Sequence, residues 1–155
     1  MRKFALIYIV VVNVICLIIC LANLFIEKVD FEQTILIGTS LLSLILYLFI
    51  ITKRNIKISY ILLCVIYFIQ SFSILTSSLT LKIIYGTDLT FYIINANDLT
   101  SKLDFKIFNL YAYLSTSSNG ENWGIGLNII HFFVFYILLK QLKIVNNQEI
   151  GISNK

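Results

Sequence analysis

The side chains best suited to chemistry in this sequence are polar groups set inside otherwise apolar runs. His131 is the only histidine in the chain, and an imidazole can gain or lose a proton near neutral pH. Three residues before it stands Asn128, with Gly124 and Glu121 further along the same 3-to-4-residue spacing. Asn13, Cys16, Cys20, Asn23 and Glu27 repeat that spacing in one earlier run, and Gln70, Ser73, Ser77 and Thr80 repeat it in another. On a helix such spacing collects side chains on one face. Counted from the basic end of each run at about 1.5 Å per residue, Asn13, Gln70 and His131 reach a common depth of roughly 13 to 18 Å. The expected site is a polar cluster of Asn13, Gln70, His131, Asn128, Ser73 and Ser77, opening outward with the first three at its floor.

Two kinds of chemistry suit that cluster. It can hydrogen-bond a ligand or relay a proton through His131, because polar groups are costly in hydrocarbon and tend to mark functional sites. The favoured reading is ordinary hydrogen-bonded packing between membrane helices, a term of about 1 kcal/mol per contact. Catalysis is not expected. A single histidine, three cysteines at different depths and no acid within the runs make no plausible zinc set. Glu121 would lie about 15 Å from His131 by helix rise, too far to orient its ring in a triad. No phosphate loop, dinucleotide fingerprint or calcium loop occurs, and no cofactor is expected.

The elements that would position this cluster follow from composition. Hydrophobic residues make up 59% of the chain and charged residues 13%, with a mean hydropathy of +0.90. A soluble domain of this size cannot hide so much apolar surface. Four runs approach the roughly 20 apolar residues that a bilayer of about 30 Å requires: residues 4–26, 34–52, 58–81 and 123–142. Proline is absent from the sequence, so no helix carries an obligatory proline kink. The expected fold is an all-α membrane protein, a single four-helix up-down transmembrane bundle over residues 1–155.

Basic residues favour the cytoplasmic side of a membrane. With the N-terminus inside, Arg2, Lys3, Lys53, Arg54, Lys57, Lys140, Lys143 and Lys155 all fall inside, against Lys28, Lys82, Lys102 and Lys106 outside. Both termini are therefore expected in the cytoplasm of a cell with this protein in its inner membrane, and residues 82–122 outside. The net charge of +4 then reflects orientation and forms no nucleic-acid patch. Cys16, Cys20 and Cys64 all lie in the runs, so a disulfide-stapled outer loop is excluded.

Residues 82–122 are expected to form a small extracytoplasmic loop with two or three short strands. Gly86-Thr87-Asp88 and Asn95-Ala96-Asn97-Asp98 supply turn chemistry between them. The stretch from Asp104 to Leu114 has a helix lying on the interface as its lesser alternative. Its aromatic residues Phe105, Phe108, Tyr111 and Tyr113 form a candidate docking surface, and Trp123 a candidate interface anchor. These features favour a non-catalytic accessory, assembly or immunity-type subunit, whose partners are the bilayer and another membrane protein or a second copy. A small transporter or channel subunit with its cleft around His131 is the alternative, and an intramembrane lipid-modifying enzyme ranks last.

Overall fold

The computed structural model of the chain describes residues 2–25, 30–76, 79–95, 98–115 and 123–153. Helix α1 (Arg2–Asn23) is apolar almost throughout and carries its basic pair at the start. Helix α2 (Phe31–Ile51) begins at Asp30, whose side chain accepts a hydrogen bond from the Gln33 amide at 2.6 Å. That bond satisfies one of the amides left free at a helix start. Lys53 and Asn55 take positive φ values of 56° and 44°, closing a tight link into helix α3 (Ile56–Ser71).

Here the chain departs from a helical bundle. Helix α3 ends at Ser71, and Phe72 adopts extended backbone at φ −113° and ψ 139°. Strands β1 (Phe72–Leu75), β2 (Thr80–Asn95), β3 (Leu99–Ser115) and β4 (Trp123–Asn128) follow, and helix α4 (Ile129–Ser153) completes the chain. The expected all-α class is thus overturned: four helices carry a four-stranded antiparallel sheet, and the region expected as a small loop is mostly a long hairpin. The runs at 58–81 and 123–142 are each helix in one part and strand in the other. Their apolar residues are nearly continuous and mark neither a 3.6-residue nor a 2-residue period, so only the few polar residues at helical spacing argue for helix throughout. Hydrogen-bonded pairing with distant strands decides the matter.

The strand order is β1-β4-β2-β3, with β1 also paired to the start of β2. Ser73, Ile74 and Leu75 pair with Lys82, Leu81 and Thr80, while Phe72 to Leu75 pair with Leu127 to Gly124. The far half of β2, Thr90 to Asn95, pairs with Asn128 to Trp123. β2 therefore bends over, with one half on β1 and the other on β4, and β1 and β4 join each other. β3 follows β2 along its whole length with an irregularity between Gly86 and Asp88. Opposite Thr87 stand two residues of β3, Ile107 and Phe108, an arrangement that bends a hairpin. Gly86 has φ 113°, and a Cβ there would fall 2.8 Å from Val12 of α1.

Two cores result. Ala5, Ile9, Leu46, Ile50, Tyr60, Leu63, Tyr67, Val134 and Leu138 pack the four helices together at one end. Val12, Cys16, Cys20 and Leu36 of α1 and α2 pack instead against Tyr85 and Ala112 of the hairpin. Among the described residues three helices are long and apolar enough to cross a membrane: α1, α2 and residues 129–147 of α4. Helix α3, with 16 residues, is shorter.

Candidate functional site

Asn13, Gln70, Asn128, His131 and Ser73 are all buried, but they do not share one helical cleft. Ser77 lies outside the described residues, as do Glu27 and Glu121. The Asn13 side-chain amide donates to the Ile9 carbonyl at 2.6 Å and approaches the Tyr67 hydroxyl at 3.4 Å. The Tyr67 ring stacks on His131 with centroids 5.8 Å apart, and Tyr8 meets the same imidazole edge-on at 6.1 Å. Nε2 of His131 lies 3.2 Å from the Tyr85 carbonyl. A carbonyl can only accept, so Nε2 carries the hydrogen. This histidine is clamped between two tyrosines and a strand. Gln70 is buried with neither polar atom hydrogen-bonded, and Ser73 belongs to β1 rather than to a helical stripe.

The polar centre that the fold assembles lies on the concave side of the bent hairpin. Side-chain hydrogen bonds bring Lys82, Asp88, Thr90 and Tyr92 together on one side of β2. Asp88 is fully buried and collects four donors. Thr90 donates to its Oδ1, Asn109 to Oδ2 at 2.7 Å, Asn128 to Oδ1 at 3.2 Å and Lys82 to Oδ2 at 3.3 Å. Burial pushes the Asp88 carboxyl up, but the Thr90 and Asn109 hydrogen bonds and the Lys82 charge outweigh it and hold the group below its ordinary value. Burial likewise opposes the Lys82 charge. Its 2.6 Å bond to the Tyr92 hydroxyl and the attraction of Asp88 prevail, leaving the ammonium above its usual value. Both groups are therefore charged at neutral pH.

Asn128 joins this centre to α4. Its Nδ2 serves Asp88 and the Thr87 carbonyl, while its Oδ1 accepts from the Ile130 and His131 amides, each at 3.1 Å. The side chain acts as the helix cap. Gly126 makes room for Tyr92, because a Cβ there would come within 2.5 Å of the tyrosine ring. Beyond the ion pair lies a cavity of about 300 Å³, lined by Ser73, Leu75, Thr80, Lys82, Tyr92, Lys102, Asp104 and Tyr111 among others. Among the described residues no group of three metal-ligating side chains occurs.

The expected docking surface divides. Phe105 is exposed, Phe108 packs against the α1 and α2 core, and Tyr111 and Tyr113 stack together at 6.1 Å with Tyr111 on the cavity wall. The extra residue in β3 turns Phe105 and the tyrosines to opposite faces. Trp123 is partly exposed at the start of β4. Lys82, Asp88, Tyr92 and Asn109 were missed as a group, since only the register of a bent hairpin brings them together. No protein-family model matches the chain, and neither the curated proteins nor the solved structures contain a match.

Proposed function

We propose that this chain is a non-catalytic accessory subunit of a membrane assembly, anchored by its long apolar helices and receiving a partner in the concave side of its sheet. The observation that carries this reading is the cavity beside Lys82 and Tyr92. Lys82 at its wall is fixed by hydrogen bonds to Asp88 and Tyr92, an arrangement suited to recognition and poorly suited to proton transfer or nucleophilic attack. Lys102 and Asp104 at the cavity wall add a cation and an anion for polar contacts. Partners are another membrane protein or a second copy. Arg2 and Lys3 at the start of α1, Lys53 and Arg54 just past α2, Lys57 at the start of α3 and Lys140 and Lys143 in the interior of α4 support cytoplasmic termini in the cytoplasmic membrane, with the sheet toward the outer side.

The test is a photo-crosslinking amino acid placed at exposed Lys102, in the protein expressed in its own membrane. A single defined crosslinked band, identified by mass spectrometry and absent when the crosslinker sits at Ile45 on α2, supports a partner seated in the cavity. Crosslinks to lipid alone, or none above the Ile45 control, overturn it.

A further inference from the structure

We infer that the convex face of the sheet is itself a lipid-contacting surface, so that the third membrane crossing is a composite of helix α3 and strand β1. Three observations converge on it. Depth is the first: Val12, Cys16 and Cys20, in the middle and far half of α1, pack on Tyr85 and Ala112. The Tyr85 hydroxyl is also 3.5 Å from Ser43, just past the middle of α2. Since α1 and α2 are each long enough to cross a bilayer, the convex face that touches their midpoints lies within the thickness they span, while the charged concave face is turned away from lipid. Helix α3 alone covers about 24 Å at 1.5 Å per residue, short of about 30 Å of hydrocarbon. Four extended residues of β1 add about 13 Å and complete the distance.

The second observation is a continuous apolar surface. Rings run from Phe132 to Phe135 to Phe68 to Phe72, with centroids 6.0, 5.4 and 5.0 Å apart, out of α4 and α3 and into β1. Across the sheet the face continues through pairs Phe72–Leu127, Leu127–Phe91 and Phe91–Leu103, then Ile74–Ile125 and Ile125–Ile93. The same face is buried by α1 and α2 on one half of the hairpin and open on the other, where Leu103 and Phe105 are each 61% exposed. The opposite face of that open half carries Thr100, Lys102, Asp104 and Lys106. An antiparallel sheet normally turns its apolar face to a core, and here the exposed half continues directly from the helices' own apolar surface.

Backbone satisfaction is the third. Strands enter hydrocarbon only when their amides and carbonyls are paired. β1 is bonded to β4 on one side and β2 on the other, and β4 lies between β1 and β2. The two strands that continue from α3 and lead into α4 therefore have neighbours on both edges, and the free edge of the sheet is β3, outside the composite crossing.

The chain's single tryptophan, Trp123 at the far end of β4, tests this without any substitution. The intact protein is placed in phosphatidylcholine bilayers whose acyl chains are brominated either near the headgroup or near the chain end, and emission is read. Trp123 is expected to emit in the blue and to be quenched by the headgroup-proximal bromines. Phe91→Trp in a Trp123→Phe background is expected to be quenched by the deeper bromines, to the degree found for Phe132→Trp on α4. Thr100→Trp, on the concave face, is expected to be unaffected. Red-shifted, unquenched Trp123, or an unquenched Phe91→Trp beside a quenched Phe132→Trp, overturns the inference, as does equal quenching at Thr100→Trp. Loss of quenching at Phe132→Trp would overturn membrane anchorage as well, which separates the two failures.

Discussion

Asn128 holds Asp88 with one end of its amide and the first turn of α4 with the other, at 3.2 Å and 3.1 Å respectively. A single side chain thus couples a buried carboxylate of the hairpin to the start of a helix. The positive end of the α4 dipole also lies near this carboxylate, which favours its charge.

Replacing Asn128 by Ala removes the cap, a loss of about 1 kcal/mol, and takes one donor from Asp88, about 1 to 3 kcal/mol more. Thermal unfolding of the purified protein in mild detergent should fall accordingly. Asn128→Asp keeps a good capping group but sets a second carboxylate against Asp88. A melting point for Asn128→Asp equal to wild type would show that the contact to Asp88 carries no weight.

Asp88→Asn leaves Lys82 without its counter-ion, and breaking a buried pair from one side costs about 3 kcal/mol. Combining it with Lys82→Met should restore part of that loss. The pH dependence follows from the two shifts. Asp88 titrates below its ordinary value in the fold, so its contribution is present at neutral pH and disappears as pH falls through the folded value. Lys82 titrates above its ordinary value, so its contribution is full at neutral pH and is lost only as pH rises through its folded value. Unfolding scans of Asp88→Asn should show a shallower acid limb than wild type, and an unchanged acid limb would remove this account.

Three glycines give contrasting expectations. Gly86→Ala meets both a positive φ and the Val12 side chain, and should cost more than the roughly 1 kcal/mol of an ordinary left-handed position. Gly126→Ala displaces Tyr92 from over β4 and with it the bond to Lys82, lowering the melting point by an intermediate amount. Gly38→Ala, on the exposed side of α2 with nothing within 4 Å of the new atom, should raise stability by about 0.5 to 1 kcal/mol. Melting points in one detergent rank the three.

How much of this was readable from sequence depends on the element. Helices α1 and α2 were legible because each apolar run is long and ends at charged residues. Leu99 to Lys106 also shows its strand, since apolar and polar residues alternate there. Ile58 to Leu81 hid its break: Ser71 and Phe72 suit helix or strand, and the break depends on pairing with residues around 81 and 127. The start of α4 did carry a signal, an asparagine directly before an apolar run, but Asn128 reads just as well as one more polar residue on a helical stripe. Asn13 and His131 do approach one another, though through Tyr67, whose hydroxyl and ring no spacing rule would select. The Asp88 centre was illegible because its members are joined by a bent register and an extra residue in β3.

The closure of β1 onto β4 has a consequence for how the protein is made. Phe72 finds its partner Leu127 only after the whole hairpin and the residues before α4 have been synthesised. Until then β1 and the far half of β2 present unpaired edges, the kind of surface that recruits other chains. The first two helices can enter the membrane early, whereas the sheet must wait for the last segment. A chain stalled before α4 is therefore expected to be a substrate for quality control rather than a partly working protein.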